Sequence, residues 1–79
     1  MKTLDATGYN CPIPVLKTRK ALKDMAEGEQ ITVLATDPAS SIDIPHFCNT
    51  TGHELVESTL EDDTYRYVIR KSAAPPKPE

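Results

Sequence analysis

The sequence predicts an α+β fold, a two-layer α/β sandwich with the element order βαβαββ and two helices packed on one face of a four-stranded mixed sheet. Four segments alternate apolar and polar residues at the period of a strand, and two others space their apolar residues at the period of a helix. Each helix has one apolar stripe, which favours a single helical layer against the sheet. A chain of 79 residues is long enough for one domain with one small core.

The first half of the chain predicts two strands around a helix. Residues 2–6 alternate as a half-buried strand, and residues 14–26 have helical periodicity that Gly28 ends. Residues 30–35 alternate, and Leu34 adds an apolar residue to the opposite face, which predicts a central strand. The residues expected to face the core are Leu4, Ala6, Val15, Thr18, Leu22, Met25, Ile31, Val33 and Ala35.

A second helix is predicted to begin at Ser40 or Ser41, either of which can cap it, and to end at Gly52. Pro45 is expected within about the first turn, where a missing N–H is tolerated. The apolar face of this helix is predicted to contain Ile44, Phe47, Cys48 and Thr51.

The last part of the fold is predicted to be a hairpin. Residues 54–60 and 64–70 are its strands and the acidic residues 61–63 its turn, with Tyr65, Tyr67 and Ile69 on one face. The domain is therefore expected to span residues 1–71. Residues 72–79 are rich in proline and contain no large apolar residue, which predicts a disordered tail.

Composition excludes several classes of function. The net charge of −3 gives no global support for binding a nucleic acid backbone, so direct binding to nucleic acid is not expected. No apolar run exceeds three residues, so neither a membrane span nor a signal peptide is predicted. Two cysteines are too few for a disulfide scaffold, which favours free thiols and a cytoplasmic location.

Cys11 lies in the segment that joins the first strand to the first helix. With Pro12 and Pro14 following, two registers are open: Cys11 caps the helix, or Ile13 caps it and the helix begins at Pro14. In both, the helix N-terminus is expected to lower the pKa of the thiol. Lys17 lies about 9 Å further along the helix axis, which favours contact with a partner over activation of the sulfur. The same spacing also fits a small buried cysteine in a loop shaped by prolines.

An ordered set of motifs extends along the chain. The segment Cys11-Pro12-Ile13-Pro14 is accompanied by Leu4-Asp5-Ala6 with Gly8, Arg19-Lys20, Gly28-Glu29, Asp37-Pro38-Ala39, Asp43-Ile44-Pro45, Phe47-Cys48, His53-Glu54-Leu55, Tyr65-Arg66-Tyr67 and Ile69-Arg70-Lys71. Over about residues 3–71 the chain resembles the TusA/SirA-like sulfur carrier proteins, whose signature is C-P-x-P.

The resemblance implies the same βαβαββ sandwich and a transient persulfide on Cys11 as the only cofactor-like group. A cysteine desulfurase or a rhodanese would supply the sulfur, and a downstream sulfur-relay protein would accept it for 2-thiolation of the wobble uridine of tRNA or a related pathway. The carrier would be a monomer. Pro12 and Pro14 would form the structural frame of the site, and the residues implied in docking are Arg19, Lys23 and Asp37.

Three positions depart from the family pattern, and they bear on the choice of partner. Ile13 stands where an acidic or polar residue is common, Asn10 where a basic residue is common, and Ile42 where arginine is common. The alternative to a carrier is a small regulatory or interaction module without thiol chemistry. A thiol-redox protein is less favoured, since no C-x-x-C pair is present.

Cys48 is predicted to be an inert core residue with a raised pKa, because it shares the apolar face of the second helix. A disulfide between Cys11 and Cys48 is the weaker alternative. These two cysteines with His46 and His53 make a formal zinc set, but their spacing lacks the usual paired ligands, so no metal is expected.

Overall fold

The chain follows the predicted order βαβαββ. A computed structural model describes residues 2–10 and 13–72, and the predicted tail lies outside them except for Ser72. The elements are β1 (Lys2–Ala6), α1 (Ile13–Lys23), β2 (Gln30–Ala35), α2 (Ser40–Thr51), β3 (Glu54–Glu61) and β4 (Thr64–Arg70). The strand order is β1-β2-β4-β3, with β1 parallel to β2 and the other pairs antiparallel. The predicted α+β class and mixed four-stranded sheet are therefore confirmed.

The core lies between the two helices and one face of the sheet. In the β2–β4 pair, Ile31 lies opposite Ile69 and Val33 opposite Tyr67, and all four side chains are buried. This register confirms that β2 is central. The helices and strands together bury one cluster, which contains Leu22, Met25, Ile31, Val33, Ala35, Ile44, Phe47, Cys48, Tyr67 and Ile69.

Helix α1 ends at Lys23, so the predicted end at residue 26 is wrong. The N–H of Met25 donates to the carbonyl of Leu22, only three residues back, which tightens the last turn. The Nζ of Lys71 then donates to the Met25 carbonyl at 2.6 Å. A side chain from the end of β4 therefore satisfies a carbonyl beyond α1, and Gly28 begins the turn into β2 instead of capping the helix.

The predicted serine cap of α2 is also wrong. The cap position is Ala39, with helical dihedral angles and no side-chain cap. Ser40 is buried, and its hydroxyl lies 2.9 Å from the hydroxyl of Tyr67, so it is engaged with the sheet. Pro45 is the sixth residue of α2, in the second turn instead of the first. Gly52 ends the helix as predicted, in the left-handed conformation that glycine adopts without strain.

The hairpin between β3 and β4 turns on two aspartates. Asp62 and Asp63 both have positive φ, of 50° and 63°, as expected for a two-residue type I′ turn. Strand β3 is one residue longer than predicted and contains a register shift at Val56. Neither α1 nor α2 is long and apolar enough to cross a membrane, and no other helix occurs among the residues that the structure describes.

Candidate functional site

The candidate site is the connection between β1 and α1. Cys11 and Pro12 lie outside the described residues, but both of their neighbours are placed. The N–H of Ile13 donates to the carbonyl of Asn10 at 3.0 Å, and Ile13 is the first residue of α1. The register in which Ile13 caps a helix that begins at Pro14 is therefore wrong. In sequence, Cys11 precedes the first helical residue by two positions.

Residues 7–10 form a loop held by one local and one long-range set of hydrogen bonds. The carboxylate of Asp5 accepts from both the N–H and the hydroxyl of Thr7, at 3.0 and 2.6 Å. These two bonds, the hydroxyl bond first, lower the pKa of Asp5 because they stabilise its charged form. Gly8, with φ of 83°, donates its N–H to the hydroxyl of Thr36 at 2.9 Å. The loop that leads to Cys11 is therefore attached to the ends of both β1 and β2.

Exposed apolar side chains surround the start of α1. Tyr9 is 43% exposed, Ile13 41% and Leu16 53%. Ile42, in the first turn of α2, is 73% exposed. Because β1 and β2 are parallel neighbours, α1 and α2 both begin at the same end of the sheet. The segment of Cys11 therefore enters a helix whose exposed first turns are apolar.

Pro14 is the residue after Ile13, and the resemblance implies that it helps to frame the site. It is buried in the first turn of α1, where its missing N–H would have no helical partner. Its carbonyl accepts a hydrogen bond from the buried hydroxyl of Thr18 at 2.8 Å. This bond satisfies the one polar side chain at the centre of the apolar stripe of α1.

The structure brings two of the three implied docking residues together. Arg19 and Lys23 lie one turn apart on α1, and both are exposed. With Lys71 and His53 they line a shallow pocket of about 170 Å³, whose other lining residues are Leu22, Phe47 and Thr51. The result is a pocket with an apolar floor and a basic rim.

Asp37 lies elsewhere, between β2 and α2, and its carboxylate accepts from the N–H of Ala39 at 3.2 Å. Its backbone carbonyl accepts from the N–H of Ser40 at 3.0 Å. This residue shapes the entry to α2, at the same end of the sheet as the loop of Thr7–Asn10. Lys23, in contrast, lies about 15 Å along the axis from the start of α1. The three residues therefore do not form one cluster.

A second groove, of about 320 Å³, runs between α1 and α2. Arg19 and Phe47 line it as well as the basic-rimmed pocket, so the two hollows are adjacent. Leu16 and Asp43 line its other part. This groove leads from the apolar start of α1 towards the basic rim at its end.

Cys48 and His53 have environments that oppose their charged forms. Cys48 is buried in α2, which confirms its predicted position in the core, and desolvation raises its pKa to about 11. The Nδ1 of His53 accepts a hydrogen bond from the N–H of Ser72 at 3.1 Å. Partial burial, and then the charge of Lys71, lower the pKa of His53.

No group of three metal-ligating side chains occurs within residues 2–10 and 13–72. The zinc set considered from the sequence includes Cys11, which lies outside those ranges. The absence of a metal therefore stays a prediction.

Comparison with known proteins shows that the sequence of this domain matches one family. The profile of the family described as "Sulfurtransferase TusA" matches residues 2–71. This chain belongs to the TusA family.

Its TusA relatives match over nearly the whole domain. Proteins named "Sulfur carrier protein TusA" from Pseudomonas paraeruginosa and Pseudomonas aeruginosa are each 53% identical over 70 residues, which is 89% of this chain and 89% of the relative. A solved structure of a SirA-like protein from Desulfitobacterium hafniense is 31% identical with a TM-score of 0.81. It covers 91% of this chain and 99% of the other. The resemblance read from the sequence is confirmed, and TusA family membership implies a sulfur donor and a sulfur acceptor as partners.

Three residues at this TusA site have no role predicted from the sequence. Leu16 lines the groove between α1 and α2, Lys71 donates to the carbonyl of Met25, and Thr36 accepts from the N–H of Gly8. Leu16 lies beside the apolar stripe of α1, so the helical spacing of residues 14–26 could have identified it as an exposed apolar residue. The contacts of Lys71 and Thr36 join positions 46 and 28 residues apart, and no local pattern indicates them.

Proposed function

We propose that this protein is a sulfur carrier that accepts sulfane sulfur as a persulfide on Cys11 and relays it to a downstream thiol protein. The observation that supports this most directly is the loop of residues 7–10. Hydrogen bonds attach this loop to β1 and to the end of β2, and the chain continues from it through Cys11 to the N-terminus of α1. A helix N-terminus stabilises the thiolate, which is the form that attacks sulfur.

The transfer conserves atoms and electrons without a further reactant. The Cys11 thiolate attacks the outer sulfur of a donor persulfide, the sulfur–sulfur bond of the donor breaks, and the donor leaves as a thiolate. The proton of the outer sulfur stays with it on Cys11. In delivery, an acceptor thiolate attacks that outer sulfur and Cys11 becomes the leaving thiolate. A thiol of low pKa leaves more readily, so the same helix end assists the second step.

We propose a cysteine desulfurase or a rhodanese as donor, and a sulfur-relay protein that serves wobble-uridine 2-thiolation of tRNA as acceptor. The hollows lined by the described residues are shallow grooves, which suit docking between proteins better than enclosure of a small substrate. Free thiols and the absence of a disulfide scaffold favour the cytoplasm as the compartment.

For docking, we propose that Arg19 and Lys23 meet an acidic partner surface. Both are exposed and share one rim, and charge on such a rim steers association. Asp37 is proposed to contribute through the entry to α2, because its carboxylate accepts a hydrogen bond there.

The test is sulfur loading followed by intact mass. Wild type, Cys11→Ser and Cys48→Ser are each incubated with a cysteine desulfurase and L-cysteine. Wild type and the Cys48→Ser control are expected to gain one sulfur atom, whereas Cys11→Ser gains none. A wild type that stays unloaded, or a Cys11→Ser variant that loads equally, overturns the proposal and favours an interaction module without thiol chemistry.

A further inference from the structure

The side chain of Lys17 reaches back over the loop that leads to Cys11. Its Nζ lies 4.6 Å from the centre of the Tyr9 ring, which is the geometry of a cation–π contact. Side chains of a helix lean towards its N-terminus, so a lysine in the second turn reaches residues that precede the helix. From the sequence, the charge of Lys17 is expected about 9 Å from Cys11 along the axis of α1. The observed contact instead turns the charge towards the loop.

This placement matters because few charges lie near Cys11 in the chain. From residue 3 to residue 16 the only charged side chain is that of Asp5, and Asn10, next to the thiol, is neutral. Tyr9 precedes Cys11 by two residues, which span at most about 7 Å. The ring therefore holds the first cation of α1 at the same end of the helix as the thiol.

The other charged groups at this end of the sheet are mostly carboxylates. Asp5 lies near the end of β1, Asp37 precedes α2 and Asp43 lies in the first turn of α2. Asp43 shares the inter-helix groove with the cation of Arg19. Carboxylates oppose the formation of a thiolate, so a cation held towards the loop counteracts them.

We infer that the contact with Tyr9 keeps the Lys17 ammonium at the N-terminal end of α1, and that this cation stabilises the thiolates which sulfur exchange forms at Cys11. The inference rests on the proposed function, since attacking and leaving groups in that exchange are both thiolates. Lys17 is a positioning residue that acts on the sulfur through its field. Tyr9 is a positioning residue for Lys17.

The test is the pH profile of alkylation of Cys11, read by peptide mapping after short exposure to iodoacetamide. Lys17→Met keeps the length of the side chain and removes the charge. Lys20→Met removes the same charge from an exposed position of α1 and is the matched control. Tyr9→Leu removes the ring that binds the ammonium, and Tyr9→Phe keeps it.

Lys17→Met is expected to raise the midpoint of the profile by about half a pH unit, roughly the effect of a unit charge several ångströms away in a water-like dielectric. Alkylation below the midpoint then slows about threefold. Tyr9→Leu is expected to shift the midpoint in the same direction, and Tyr9→Phe and Lys20→Met to leave it near wild type. The shift caused by Lys17→Met is expected to shrink in 1 M salt, where the screening length falls to about 3 Å.

Equal profiles for Lys17→Met and Lys20→Met overturn the inference, and so does a Tyr9→Leu profile that matches Tyr9→Phe. Circular dichroism of each variant verifies that the fold is retained. The alkylation profile requires no sulfur donor, so its outcome is separate from that of sulfur loading. A wild type that takes up no sulfur refutes the proposed function, while the profile still decides whether Lys17 acts on the thiol.

Discussion

The hydroxyl groups of Ser40 and Tyr67 lie 2.9 Å apart in the interior and join the first residue of α2 to the middle of β4. Both residues have no exposed surface. The bond lies at the boundary between the helical layer and the sheet. A polar group buried there would destabilise the fold without its partner.

Tyr67→Phe is expected to lower the free energy of unfolding by about 1–2 kcal/mol, because the Ser40 hydroxyl loses a buried partner. Urea denaturation measures the change. Ser40→Ala is expected to have an effect of similar size. The double variant should cost less than the two single changes together, and strict additivity would show that the hydroxyl groups do not interact.

Asp63→Gly is expected to stabilise the protein by about 1 kcal/mol. Asp63 has a φ of 63°, a conformation that costs an ordinary residue energy and costs glycine none. The comparison is Glu61→Gly at the end of β3, where the same new residue should lower stability by about 0.5–1 kcal/mol. Thermal or urea unfolding gives both values, and a loss of stability in Asp63→Gly would contradict the turn geometry.

His53 is expected to make stability depend on pH below neutrality. The folded state lowers its pKa, so the unfolded chain binds the proton more tightly. Its contribution is therefore complete above the unfolded pKa of about 6.5 and is lost as the pH falls through the folded pKa. Urea midpoints measured from pH 7.5 to pH 5 should show this fall.

His53→Asn keeps a hydrogen-bond acceptor for the N–H of Ser72 and removes the titration. Its stability should vary less with pH than that of wild type over the same range. The exposed His46 provides the control, since His46→Asn should retain the wild-type dependence. A His53→Asn variant with the full wild-type dependence would assign the effect to another group.

Cys48 is expected to resist alkylation in the native protein. With a pKa of about 11, its thiolate fraction at pH 7.5 is more than a hundredfold below that of an ordinary cysteine, and burial blocks access further. Iodoacetamide should therefore modify Cys11 and spare Cys48, whereas both should react in urea. Equal modification of the two thiols under native conditions would contradict the placement of Cys48 in the core.

Arg19→Glu is expected to slow sulfur uptake from the donor protein several-fold at low salt, because the change reverses a charge on the rim of the docking pocket. Lys20→Glu makes the same reversal outside that pocket and should have a smaller effect. Stopped-flow or surface-binding measurements give the association rate. A rate for Arg19→Glu that matches Lys20→Glu would place the docking surface elsewhere.

Local patterns predicted the elements of this fold because apolar residues recur along the buried face of a strand at one spacing and along that of a helix at another. The alternation of residues 30–35 and the spacing of Ile44, Phe47 and Cys48 were enough to identify a central strand and a buried helix face. The motif around Cys11 likewise identified the family without any coordinates.

The end of α1 and the start of α2 could not be predicted from local patterns, because they depend on contacts between residues that are distant in the sequence. Helix α1 stops where Lys71, from the far end of the chain, reaches the Met25 carbonyl. Ser40 does not cap α2 because its hydroxyl is engaged with Tyr67, 27 residues away. Lys71 is distant in the sequence from the end of α1, and Tyr67 from the start of α2. Helix propensity alone therefore predicted the wrong boundaries.

The sequence by itself determined the order of the elements, the composition of the core and the thiol on which the proposed chemistry depends. Only the tertiary structure decided which residues contact the loop that precedes that thiol. It attached the loop to Thr36 and turned the Lys17 charge towards Tyr9. The spacing of apolar residues predicts which side of a helix or strand is buried. The direction of a charged side chain instead depends on the residues that folding brings close to it.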